Sequence, residues 1–144
     1  ITWTQQPLTQ DRESLFWFNV LEVPPKAKDA DSQNALQLAF RTRIKMFFRP
    51  DGLQGDPAVA AGNLQWTQQG TALIANNSSP YYISMAKATI TVKGKKIEVD
   101  SHTIPPLSHE TIPVKNAPAL QGGGIEYIAI NDFGGTEKHQ ATIN

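Results

Sequence analysis

Apolar and polar residues alternate most sharply between Ala35 and Phe48. Leu36, Leu38, Phe40, Ile44, Met46 and Phe48 take the even positions with only Thr42 interrupting, while Gln37, Arg41, Arg43 and Lys45 take odd ones. Successive side chains of a β-strand point to opposite faces, so this period predicts one long strand over 35–48 with an apolar face and a basic face. Upstream, residues 15–23 read Leu-Phe-Trp-Phe-Asn-Val-Leu-Glu-Val, rich in aromatic and β-branched side chains. They predict a buried strand, ended by Pro24 and Pro25, which supply no ladder donors. The polar, small residues of 26–34 show no period and predict a mobile, exposed loop.

Arg49-Pro50-Asp51-Gly52 breaks the long strand, and 53–63 mixes Gly, Ala, Pro and Asp in the manner of a connector between domains. Within it, Asp56-Pro57 predicts a single helical turn over 58–61, because Asp accepts N-terminal amides and Pro tolerates the first helical position. Short apolar stretches follow at 64–67, 71–76, 81–92, 96–99, 103–105, 111–114 and 125–131, divided by turn residues such as Lys93-Gly94. Gly122-Gly123-Gly124 reads as a flexible turn. These strands predict an all-β fold with a sandwich over 51–144, near the roughly 100 residues of an immunoglobulin-like domain. Residues 1–50 hold too few strands to enclose a core and predict only the carboxy-terminal part of a first such domain. No repeat at solenoid spacing occurs.

Composition narrows the function classes. Hydrophobic residues make up 40% of the 144 and charged residues 18%, a globular balance. Thirteen basic and thirteen acidic side chains cancel, so no global field favours nucleic acid or an anionic membrane. No apolar run reaches the roughly 18 residues of a membrane span, and no leader-like segment opens the chain, which reads as soluble and mature. Zero cysteines exclude disulfides and thiolate chemistry. His102, His109 and His139 lack metal-ligand spacing and read as surface residues. Ser101-His102 and Ser108-His109 are sequence neighbours that a strand would point apart, so neither is a nucleophile-base pair. The glycine triplet lacks the Lys-Ser/Thr of a phosphate loop, and Asn76-Asn77-Ser78-Ser79 holds glycosylation-like triplets that matter only in a eukaryotic secretory protein. Trp3, Trp17 and Trp66 read as core or interface aromatics. No catalytic residues, cofactor or metal are expected.

Three segments together resemble the PapD-like periplasmic chaperones of pilus assembly: DRESLFWFNV at 11–20, LQLAFRTRIKMFFRP at 36–50 and INDFGG at 130–135, supported by NSSPYYI at 77–83. The resemblance runs from about residue 7 to the chain end. It implies two immunoglobulin-like β-sandwiches in a boomerang, with 15–23 and 35–48 as the sixth and seventh strands of the first domain and strands one to five absent. It also implies a non-enzymatic periplasmic protein that folds and caps pilus subunits by donor-strand complementation and delivers them to an outer-membrane usher. A self-capping dimer, or capping by the 26–34 loop, is a further expectation for an exposed apolar strand.

By the same resemblance, Leu36, Leu38 and Phe40 fill the subunit's open groove. At about 1.5–3 kcal/mol for each large apolar side chain buried, the three supply on the order of 5–9 kcal/mol. Lys45 corresponds to the basic anchor for the subunit's terminal carboxylate, beside a first-strand arginine that this chain lacks. Glu13, Arg49 and Asp132 correspond to an interdomain charge cluster. The residues alone leave blander readings open: an alternating strand packed in its own core, a solvated basic face shared by Arg41, Arg43 and Lys45, and three unrelated surface charges. A secreted immunoglobulin-like adhesin or stalk domain is the competing function.

Overall fold

A computed structural model of the protein describes residues 7–23, 38–115 and 119–144. Trp3, Leu36, the 26–34 loop and the first positions of the expected 35–48 strand lie outside the described residues. The chain divides into two compact units, Leu15–Phe48 and the remainder from Arg49 to Asn144 together with the stretch up to Ser14.

The first unit is a two-stranded sheet of β1 (Ser14–Glu22) and β2 (Phe40–Phe48). Two expectations change here. The segment at 15–23 is a strand but not a buried one: Phe16, Trp17, Phe18, Val20, Leu21 and Val23 are all exposed. With β2 as its one ladder neighbour among the described residues, β1 has no layer to bury its faces against. Leu38 and Ala39 precede β2 rather than belonging to it. A ladder between two strands extends only as far as both reach, and each strand here has nine residues.

The second unit opens with the single helical turn, α1 (Pro57–Ala60). Asp56 caps it by accepting a hydrogen bond from the Ala58 amide at 2.8 Å, and Pro57 stands where a missing N–H costs nothing. A 3-10 turn over Ala61–Asn63 leads into β3 (Gln65–Gln69). Next come β4 (Ala72–Asn77), β5 (Ile83–Val92), β6 (Lys95–Val99), β7 (His102–Ile104), β8 (Ser108–Pro113) and β9 (Gly124–Ile130). These match the seven expected stretches to within a few residues.

An eighth strand, β10 (Thr136–Thr142), was not foreseen. It pairs with β9 in antiparallel register from Thr136 opposite Ile130 to Thr142 opposite Gly124. Its sequence, TEKHQAT, is almost wholly polar, as an edge strand facing water can be.

The strands form two sheets, β10-β9-β5-β6 with β7 also on β5, and β3-β4-β8. Side chains from both build one core: Trp66, Leu73, Ala75 and Ile112 from the smaller sheet, and Met85, Ile90, Ile104, Ile125 and Tyr127 from the larger. The rings of Trp66 and Tyr127 meet across it with centroids 5.2 Å apart. In β5 the buried positions run 83, 85, then 88, 90, 92. The change of phase is a bulge: Met85 opposes Ala129 while Lys87 opposes Ile128, leaving Ala86 as the extra residue. The Lys93-Gly94 turn closes the β5–β6 hairpin with both residues at positive φ, as a tight two-residue turn requires.

The Gly122–Gly124 turn is pinned rather than flexible. Gly122 donates to the Ile143 carbonyl at 2.8 Å, Ile143 donates to Gly123 at 2.9 Å, and Gly123 donates to Leu120 at 2.8 Å. A Cβ on Gly123 would sit 2.8 Å from the Leu120 oxygen and 3.1 Å from that of Thr91, so close backbone approach explains the glycine. His139 also departs from expectation: it is half-buried and stacks on Tyr127 at 5.3 Å.

Candidate functional site

In the second unit, Arg49 joins two carboxylates that lie far apart in the chain. Its Nε donates to Glu13 Oε1 at 2.6 Å, and its Nη1 and Nη2 donate to the two oxygens of Asp132 at 2.6 and 2.9 Å. The planar guanidinium fork makes this double engagement possible where a lysine could not. Its face also lies over the Tyr81 ring at 5.2 Å.

Glu13 is the buried member, 3% exposed. A buried carboxylate is tolerable only when fully satisfied, and the second oxygen of Glu13 accepts from the Tyr82 amide at 2.6 Å. The Glu13 amide in turn donates to the Pro80 carbonyl at 2.9 Å. Asp132 is presented by the β9–β10 turn, which Asn131 holds: its side-chain oxygen accepts from the amides of Phe133 and Gly135 at 3.1 and 2.8 Å, and its amide donates to Glu137 at 2.9 Å. The hydrogen bonds from Arg49 hold the Asp132 carboxyl below the usual carboxylate range, against a smaller opposing effect of burial. They also raise the Arg49 pKa further, so its charge is fixed. Phe133, at the tip of the same turn, is 96% exposed.

The first unit carries the other candidates. Leu38 and Phe40 are 54% and 62% exposed, and Ile44 is 52% exposed. They lie outside the core cluster that the described residues form. On the odd face of β2, the Arg43 guanidinium lies over the Trp17 ring at 3.9 Å from its centroid, and the Lys45 ammonium lies over the same ring at 5.9 Å. Partial burial disfavours the charged form of Lys45 and lowers its pKa.

Several structural residues escaped sequence reasoning. Asn77 is buried, donates to the carbonyls of Tyr81 and Pro105 at 2.8 and 3.0 Å, and accepts from the Ser79 amide and hydroxyl at 3.0 and 2.7 Å. It ties the strand β4 to the NSSPYYI segment rather than presenting a glycosylation site. Tyr81 donates to the Gly55 carbonyl at 3.1 Å, beside the arginine cluster. Their only sequence signal was membership of a motif. Among the described residues no group of three or more metal-ligating side chains occurs, and no helix is long and apolar enough to cross a membrane.

The carboxy-terminal domain model of the pili assembly chaperone PapD matches residues 59–141, and the amino-terminal domain model of pili and flagellar-assembly chaperones matches residues 1–54. The probable fimbrial chaperone YadV of Escherichia coli K12 is 43% identical over 94% of this chain and 58% of its own length. A crystal structure of the YadV chaperone superposes with a TM-score of 0.82 at 42% identity, covering 96% of this chain and 66% of that one. A structure of the Salmonella enterica SafA pilin in complex with the SafB chaperone gives 0.78 at 32% identity, over 96% of this chain and 64% of the matched chain. The chain thus spans little more than half the length of the curated relatives it matches.

Proposed function

From the premise that this chain belongs to the PapD-like pilus chaperone family, with its all-β, immunoglobulin-like sandwich fold, we propose that it stabilises pilus subunits in the periplasm by donor-strand complementation and hands them to an outer-membrane usher. The observation that carries the reading is the two-faced β2 region. Leu38 and Phe40 offer large apolar side chains outside the core cluster of the described residues, while the opposite parity of the β2 region carries Lys45. A subunit sandwich short of one strand has an open apolar groove and unpaired backbone groups. A strand of this kind can complete its ladder through amides and carbonyls, with Leu36, Leu38 and Phe40 entering the groove.

In this reading Lys45 fixes the register by binding the subunit's terminal carboxylate, an interaction worth about 1.5–3 kcal/mol as a charge-assisted hydrogen bond. Glu13 and Arg49 flank the two points at which the chain passes between its compact units, after Ser14 and after Phe48. Bonded to each other and to Asp132, they are assigned to hold those two crossings, the interdomain role that the resemblance implied. The apolar strand is also the surface through which the free protein would form a self-capping dimer. Family membership favours this reading over an adhesin or stalk domain.

The test is capture of a pilin by the full-length protein on co-expression. Lys45→Ala is expected to weaken that complex by about tenfold or more while leaving the unfolding midpoint unchanged. Undiminished capture by Lys45→Ala would remove the anchor role. Failure of the unsubstituted protein to capture any pilin would remove the chaperone reading itself.

A further inference from the structure

Two cavities in the second unit adjoin the α1 turn, and Tyr81 and Asp56 line both. The larger, of about 470 Å³, has Val59 and Leu107 in its lining, and the smaller, of about 270 Å³, has Ile130 and Phe133. These four are the large apolar side chains left exposed in the second unit among the described residues. They come from separate stretches of chain: α1, the β7–β8 connection, and the end of β9 with the turn that follows. Apolar residues scattered singly over a surface need no explanation, but four gathered at neighbouring cavities mark an interaction surface.

The backbone holds two of the four in place. Leu107 sits at a φ of 49°, in the left-handed region that non-glycine residues avoid, and its amide donates to the Ser79 carbonyl at 2.9 Å. Phe133 stands on a turn closed by Asn131, whose amide donates to the Gly135 carbonyl at 2.9 Å and whose carbonyl accepts from Gly134 at 3.0 Å. A backbone fixed before contact loses little freedom on binding, so such residues suit an anchoring role. The charge around them is one-sided. Asp11 and Asp56 are the charged residues lining the larger cavity, and Asp56, Asp132 and Glu137 line the smaller one with Arg49. Arg12 bonds Asp11 at 2.8 Å, and Arg49 is engaged by Glu13 and Asp132, so these two cations leave the carboxylates in surplus.

We propose that this face docks a polypeptide segment that combines apolar side chains with Lys or Arg, the apolar groups entering the two cavities and the cations meeting Asp11, Asp56 and Glu137. Charge complementarity selects this partner. An anionic lipid surface or a nucleic acid is repelled by the same carboxylates. A second copy meeting this face through its own equivalent would set carboxylate against carboxylate. The surface shares no residue with those assigned to the pilin, Leu36, Leu38, Phe40 and Lys45, so it is a second docking site and not an extension of the first.

The test uses the full-length protein and short labelled peptides in which Phe alternates with Lys, Phe alternates with Glu, or Ser alternates with Lys. The Phe-Lys peptide is expected to bind about tenfold or more tighter than either of the others. Phe133→Ser and Leu107→Gly are each expected to weaken it by about fivefold or more. Both variants are expected to keep the unfolding midpoint, since Phe133 is exposed and glycine is at ease at the φ of Leu107. Pilin capture is expected to be unchanged in both, so the two docking sites stand or fall separately. Equal binding of the Phe-Lys and Phe-Glu peptides would overturn the proposal. So would binding lost in Phe40→Ala but retained in Phe133→Ser and Leu107→Gly, which would place the peptide on β2. Sedimentation showing that Phe133→Ser dissociates a dimer would assign the face to a second copy and overturn it as well.

Discussion

Strands β2 and β5 carry the same kind of alternation and end in opposite states. In β5 the apolar positions Ile83, Met85, Ala88, Ile90 and Val92 are all buried, whereas in β2 Phe40 and Ile44 are exposed. The difference lies in the neighbours. β5 has β6, β7 and β9 as ladder partners and a second sheet across its core. Among the described residues, β2 has only β1. Period two therefore specifies a strand and the face that is apolar, but leaves open what covers that face. A covered face contributes stability to its own domain; in the function proposed above, the apolar face of β2 serves a pilus subunit instead.

The contrast is sharpest where the core is most fully sealed. Trp66 is wholly buried and contributes the ring that meets Tyr127 between the sheets. Trp66→Ala is expected to cost about 3–5 kcal/mol in urea unfolding, the range for deleting a large buried aromatic. A loss below about 1 kcal/mol would mean that the second unit is no better packed than the first. A step smaller is the buried carboxylate. Glu13→Ala leaves the Tyr82 amide without the acceptor described above and deprives Arg49 of one partner. A cost of about 1.5–3 kcal/mol is expected by the same measurement, because hydrogen bonds to a charged group are lost inside the protein.

The elements legible in the sequence were those whose local chemistry is self-sufficient. Asp56-Pro57 writes its own helical turn, and Lys93-Gly94 its own hairpin. Alternation located β2, aromatic and β-branched richness located β1, and short apolar stretches between turn residues located β3 to β9. These signals missed β10, since Thr136–Thr142 draws its place from pairing with β9 rather than from apolar residues of its own. They also missed the bulge at Ala86, whose effect is visible only in the register against β9. The Gly122–Gly124 turn looked loose because glycine is permissive, yet its carbonyl neighbours determine the site. Arg49 lies 36 residues from Glu13 and 83 from Asp132, beyond the reach of any local spacing rule. Only the resemblance of whole segments grouped those three. Trp17 had no such signal, because stacking across a ladder depends on register and register is not written in one strand.

Smaller effects test the uncovered face. Phe40 lies outside the core, so Phe40→Ala is expected to change unfolding stability by no more than about 0.5 kcal/mol. The same substitution should reduce pilin capture by the full-length protein, read as the amount of subunit copurified. A cost to stability approaching that of Trp66→Ala would place Phe40 in a core of its own and remove the difference between β2 and β5.

The smallest expected effect concerns Asp132, whose side chain is half exposed. Its carboxyl titrates below the ordinary range in the folded protein because Arg49 donates two hydrogen bonds to it. A depressed folded pKa means that the unfolded chain takes up the proton first, so this contribution is complete above the unfolded value of about 3.9. It is lost as pH falls through the folded value, and Arg49, whose own pKa is raised, stays charged throughout. Asp132→Asn is therefore expected to be less stable than the unsubstituted protein at neutral pH by under about 1 kcal/mol, given the exposure of the pair. That gap should close in acid, where both proteins carry a neutral side chain at position 132. A gap that widened as pH fell would show that the bridge to Arg49 is not what lowers this carboxyl, and that the turn at Asn131–Gly135 holds Asp132 in place without it.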